Sequence, residues 1–120
     1  MSVALELPQP SQATLRAARA LQRRAGRAET GLFLVEGRQA VAEALKCPGV
    51  VQELYLRWDA ALANRDLLEA VVEAGIDYYG VSEQNLATIT DTVTPQGVVA
   101  VARAIDVPLA DVLGTRRKNP

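Results

Sequence analysis

The stretch Leu32-Phe33-Leu34-Val35, followed at once by Glu36-Gly37-Arg38, narrows the possible folds more than any other part of the chain. Four consecutive apolar side chains leave no polar face, so the run suits a strand covered on both sides of a sheet. Glu36-Gly37-Arg38 stops it with a turn from which a helix departs through Gln39, Ala40 and Val41. Near the other end, Thr94-Pro95-Gln96-Gly97 precedes Val98-Val99-Ala100-Val101-Ala102, the same two parts in reverse order. Strands of this kind need helices above and below them, which points to an α/β architecture.

The intervening sequence supports that class. Ser11 is a helix N-cap ahead of alanine-rich, proline-free sequence reaching about Ala25, a composition of high helix propensity. On one continuous helix Arg16, Arg19, Arg23 and Arg27 share a narrow arc, with Ala17, Leu21, Ala25 and Ala28 opposite. The helix begun at Glu36-Gly37 runs to about Lys46 with Ala40, Val41, Ala44 and Leu45 as its apolar stripe, and Pro48-Gly49 ends it. A strand is expected over Val50 to Arg57. Asn64 then caps a helix to Ala74, burying Leu67, Leu68, Val71 and Val72 and closing at Gly75. A strand over Ile76 to Val81 and a brief Ser82-capped helix to Ile89 precede the last strand. Helices alternating with short strands predict a three-layer α/β/α sandwich around a small, mostly parallel sheet.

With 120 residues, 49% of them hydrophobic, the chain closes one core. Residues 1–10, carrying Pro8 and Pro10, read as a flexible leader, 11–105 as the domain, and 106–120 as a linker with Pro108, Gly114 and a basic cluster. No run suits a membrane span or a secretion signal, so a soluble cytoplasmic protein is expected. Cys47 is alone and histidine is absent, so neither an internal disulfide nor a metal site is expected, and Cys47 reads as an inert buried thiol.

Charge is segregated. Residues 11–30 hold five arginines against Glu29, residues 31–111 hold five basic against twelve acidic side chains, and Arg116, Arg117 and Lys118 follow with no acid. Basic ends around an acidic body suggest a polyanionic partner met by the ends. The arginine face either grips phosphates, where each contact releases counterions and the guanidinium fork fits two oxygens, or pairs with the acidic body. Glu36-Gly37-Arg38 either offers backbone N–H groups and Arg38 to an anion at a helix start, or is a tight turn that Gly37 permits. At Thr94-Pro95-Gln96-Gly97 the Gln96 amide reaches base edges and Thr94 a phosphate, or the turn simply fixes the last strand. Trp58 either stacks on an unpaired base or caps the core edge. Tyr55, Tyr78 and Tyr79 suggest no RNP-like aromatic pair, and no nucleotide loop, or nucleophile with an activating base, is present.

Taken in order, the basic helix, Arg23-Arg24-x-x-Arg27, Phe33-Leu34-Val35-Glu36-Gly37-Arg38, Gly75-Ile76, Val81-Ser82-Glu83 and Thr94-Pro95-Gln96-Gly97 resemble the amino-terminal substrate-binding domain of the SpoU (TrmH-like) RNA ribose 2′-O-methyltransferases. The resemblance runs from Ser11 to about Val112. It implies a fold similar to the kink-turn-binding ribosomal proteins, and RNA as partner, ribosomal RNA ahead of transfer RNA. It further implies RNA contacts at Arg16, Arg19, Arg23, Arg24, Arg27, Glu36, Gly37, Arg38, Thr94 and Gln96. In that family a separate knotted (SPOUT) domain binds S-adenosylmethionine, transfers the methyl group and forms a homodimer. Its motifs are absent here, so the chain resembles a recognition domain isolated by truncation, with no catalytic residue, cofactor site or metal of its own. A free-standing binder of kinked RNA and a protein-interaction or dimerisation module are the rival readings.

Overall fold

The structure, a computed structural model, describes residues 7–90 and 96–104. In chain order the elements are α1 (Gln12–Arg19), α2 (Arg24–Thr30), β1 (Leu32–Glu36), α3 (Arg38–Leu45), β2 (Val51–Arg57), α4 (Arg65–Ala74), β3 (Asp77–Val81), α5 (Glu83–Ile89) and β4 (Val98–Arg103). Short 3₁₀ turns at Ala20–Gln22 and Trp58–Ala60 follow α1 and β2.

The four strands form one sheet in the order β1-β4-β2-β3. Its alternating apolar residues feed two cores. On one face Leu54, Leu56, Val98 and Ala100 meet Val41 of α3 and Leu67, Leu68 and Val71 of α4. On the other, Tyr55, Val99 and Val101 meet Leu15 and Ala18 of α1, Leu21, and Leu86 and Ile89 of α5. The expected three layers are therefore present, and β4 is buried on both faces from Val98 to Ala102, as its unbroken apolar run requires.

The sheet is mixed, not mostly parallel. β2 and β3 pair parallel, but β4 is antiparallel to both β1 and β2. β1, β2 and β3 all point one way, as strand-helix alternation implies. The register puts Val81, where β3 ends, and Val98, where β4 begins, at the same Leu56–Arg57 end of β2. The connection through α5 thus returns the chain to the end it left, and β4 enters the central slot reversed.

The first helix also differs from expectation. Ser11 caps it as anticipated, its Oγ accepting the Thr14 N–H at 3.1 Å. The helix stops at Arg19, however, and Arg23 is extended (φ −100°, ψ 143°) before α2 begins. The cause is close packing: a Cβ at Gly26 would lie 2.2 Å from the Ala20 carbonyl oxygen, so α2 folds back onto the preceding turn where only glycine fits. Burial follows Leu15, Ala18 and Leu21, while Ala17, Ala25 and Ala28 are exposed. Elsewhere Ala40 and Val72 are exposed, because α3 and α4 contribute narrower stripes than their sequences suggest. Cys47 is exposed, not buried, lying in the turn after α3. At the leader's end Leu7 is buried against the α4 side, and the Pro8 carbonyl accepts the Gly80 N–H of β3 at 2.9 Å. The expected linker lies outside the described residues.

Candidate nucleic-acid interface

One end of the sheet gathers the strand-to-helix corner. Glu36 ends β1 opposite Val99. Gly37 then takes φ 96° and ψ 150°, a backbone that side-chain-bearing residues rarely adopt, and donates its N–H to the Val98 carbonyl at 2.9 Å. This turn starts α3 at Arg38 with no side chain capping its first N–H groups.

Arg38 is held at three points. Nη1 donates to Asn64 Oδ1 and to Asp66 Oδ1, both at 2.9 Å, and Nη2 to Asp66 Oδ2 at 2.5 Å. This hydrogen bonding raises the Arg38 pKa and holds the Asp66 carboxyl below its usual value. The pair is solvent-exposed, so it orients the guanidinium fork more than it stabilises the fold. Asn64 occupies the N-cap position of α4 but makes no capping bond. Its amide is turned inward, 3% exposed, where Nδ2 donates to the Ala60 carbonyl at 2.8 Å and the Gln96 carbonyl at 3.4 Å. One buried side chain therefore links the turn after β2, the turn before β4 and Arg38. Between Arg38, Gln39, Ala42 and the exposed Gln96 lies an open cleft of about 420 Å³. Beside it the Arg57 side chain lies over Gly97 and donates from Nε to Asp59 Oδ1 at 2.5 Å.

The helix arginines lie elsewhere. α1 packs through Leu15 and Ala18 on the face opposite α3, which packs through Val41, so the sheet stands between the helix that carries Arg16 and Arg19 and the helix that Arg38 begins. The single surface expected from the basic helix together with Glu36-Gly37-Arg38 is not formed. The break at Arg23 also dissolves the expected arc. Arg27 turns back, its Nη1 donating to the Leu21 and Gln22 carbonyls at 2.9 and 3.0 Å and satisfying the end of the 3₁₀ turn. Arg19 donates from Nε to Thr88 Oγ1 at 2.9 Å. Arg16, Arg23 and Arg24 are exposed, and among the described residues none of them makes an ion pair. Thr94 lies outside the described residues.

Asn64, Asp66 and Arg57 were not singled out by sequence reasoning as site residues. Asn64 carried only a capping signal, and nothing local announces that Asp66 reaches Arg38 across 28 positions. Tyr55 and Tyr79 do meet in register on adjacent strands, ring centroids 5.3 Å apart. Tyr55 is nevertheless fully buried, its hydroxyl donating to Glu53 Oε1 at 2.8 Å, so the pair belongs to the core and is not a base platform. Among the described residues no helix is long and apolar enough to cross a membrane, and no cluster of metal-ligating side chains occurs.

Comparison with known proteins agrees with the expected family. The 23S rRNA (guanosine(2553)-2′-O)-methyltransferase RlmP of Bacillus subtilis is 38% identical over 84 residues, covering 70% of this chain and 32% of that protein. An rRNA methyltransferase from Sinorhizobium meliloti superposes with a TM-score of 0.70 at 26% identity, covering 90% of this chain and 40% of its own. The SpoU methyltransferase AviRb of Streptomyces viridochromogenes, solved with AdoMet, shares the fold at a TM-score of 0.63 and 24% identity, covering 82% of this chain and 38% of its own. The chain thus spans about a third of the length of the curated relative it matches. Residues 12–100 match the family described as the MRM3-like substrate binding domain, and the chain belongs to that family.

Proposed function

We propose that this domain grips RNA, ribosomal before transfer RNA, and presents it to a SpoU-type ribose 2′-O-methyltransferase domain. The observation that carries the reading is the group Arg16, Arg23 and Arg24, exposed and without an ion-pair partner among the described residues, on a substrate-binding domain whose net charge is only −1. Cations left unpaired on an otherwise acidic chain suit a phosphate backbone, which they neutralise with little dependence on sequence. Arg38, pre-oriented beside the cleft that Gln96 lines, supplies a second contact to a phosphate or base edge. Arg19, Glu36, Gly37 and Thr94 are assigned to RNA by the family resemblance, whereas Arg27 holds the helix turn. Ribosomal RNA is preferred because the curated relative acts on 23S rRNA.

Methyl transfer and S-adenosylmethionine binding are assigned to sequence outside this chain, as is homodimer formation. A cleft of about 500 Å³ is lined by Leu7, Tyr78 and one side of α4. Cytoplasmic residence accompanies this role.

The test is RNA binding across salt concentrations by the chain and its R16A/R23A/R24A variant. Loss of three phosphate contacts should flatten the slope of log K against log salt by about 2, at about 0.7 per contact on single strands. An unchanged slope and affinity would remove the arginine group from the interface.

A further inference from the structure

Trp58 is the chain's single tryptophan and the first residue of the 3₁₀ turn leaving β2. Its benzo ring is seated on Gly80 of β3, where a Cβ would fall 2.3 Å from Cζ3 and 2.7 Å from Cε3 and Cη2. Any side chain at position 80 would lift the indole off the sheet. Gly80 is itself fixed by its N–H bond to the Pro8 carbonyl. Despite this seat Trp58 as a residue remains 41% exposed, and among the described residues no acceptor meets its N–H. An aromatic used only to close a core edge would normally bury its ring and satisfy that donor.

From this geometry, and resting on the RNA-binding reading above, we infer that Trp58 is a stacking platform for an unpaired RNA base, held on its sheet side by Gly80. Three features favour a base as occupant. The residue before the ring is Arg57, whose guanidinium is paired with the exposed Asp59. The turn that carries it is tied to the Arg38 corner, because the carbonyl of Ala60, the turn's last residue, accepts from the same Asn64 amide whose oxygen receives Arg38. Arg57 donates its backbone N–H to the Gly97 carbonyl at 2.9 Å, which places the platform at the sheet end that carries Gln96. Arginines near an open aromatic face suit a splayed single strand, since its backbone seeks cations and its bases seek π-surfaces.

The single tryptophan makes the test direct. The chain is titrated with a fluorescein-labelled RNA hairpin bearing an unpaired loop and with a blunt duplex of equal composition, recording anisotropy and tryptophan emission. The hairpin should quench Trp58 while the duplex leaves it unchanged. Trp58→Ala should weaken hairpin binding about tenfold and Trp58→Phe far less. Gly80→Ala should weaken it with the indole still present, and Leu62→Ser, altering an exposed apolar residue four positions along the chain, should not. A rise in anisotropy with emission and W58A affinity unchanged would overturn the platform and leave the RNA-binding reading standing. No rise in anisotropy would overturn both. An emission shift with protein concentration alone, lost in L62S, would assign the ring to a second copy of the chain and overturn the platform.

Discussion

Replacing Asn64 with alanine removes a buried side chain that joins the turn after β2, the turn before β4 and Arg38. The amide is 3% exposed, so in the parent it is this side chain that satisfies the groups around it. Two carbonyl acceptors lose their donor, Ala60 at 2.8 Å and, more weakly, Gln96 at 3.4 Å. A buried group deprived of its partner costs about 1–3 kcal/mol and each net hydrogen bond about 1, so the loss should total about 2–4 kcal/mol. That is a large share of the roughly 5–15 kcal/mol that holds a domain folded. Asp66→Ala breaks a shorter contact to the same guanidinium but an exposed one, and should leave stability close to that of the parent. Asn64→Asp keeps the oxygen that receives Arg38 but aims acceptors at two carbonyls, and should fare no better than alanine. Urea unfolding followed by circular dichroism reads all three, with a common m-value required for the comparison. The reasoning fails if Asn64→Ala lies within about 0.5 kcal/mol of the parent, the range of ordinary surface substitutions.

Other outcomes follow from the same packing. Gly26→Ala drives a Cβ into the Ala20 carbonyl 2.2 Å away and should lower stability by about 1–3 kcal/mol, measured by thermal melting, although alanine is the better helix former. Arg27→Ala should destabilise the domain more than Arg16→Ala, because only Arg27 bonds the Leu21 and Gln22 carbonyls; paired urea melts distinguish them. Burial, opposed by the hydrogen bond from Tyr55, raises the Glu53 carboxyl above its ordinary value. The folded state therefore binds more protons than the unfolded one just above the usual glutamate range, and stability falls as pH rises through that window. Glu53→Gln keeps an acceptor for Tyr55 and should remove this fall, so its melting temperature should gain on the parent at neutral pH and lose that gain near pH 4, about where an unperturbed glutamate titrates.

The strands and the two helical layers were legible because their signals are local. The Leu32–Val35 and Val98–Ala102 runs have no polar face, and Ser11 and Ser82 stand where capping residues belong and do cap, Ser82 receiving the Asn85 N–H at 3.0 Å. The direction of β4 was not legible, since nothing in Val98-Val99-Ala100-Val101-Ala102 records the end of the sheet from which the chain arrives. The break in the first helix was hidden for a different reason. Alanine and arginine favour one long helix, and only the contact between Gly26 and Ala20 makes two packed pieces more stable. Of the candidate site, Gly37 and Arg38 stand out by type and position. The residues that hold them in place come from the start of α4 and the start of β4, and chain spacing does not reveal such distant partners.

The most direct measurement of RNA engagement is a map of amide chemical shifts as the ¹⁵N-labelled chain is titrated with a ribosomal RNA fragment. Perturbations should concentrate on residues 16–30, on Gly37–Gln39 and on Gln96–Gly97. Shifts confined to the outer side of α4 and β3, from Leu68 to Tyr78, or no shifts at all, would contradict an interface built on the arginine segment and the Arg38 corner.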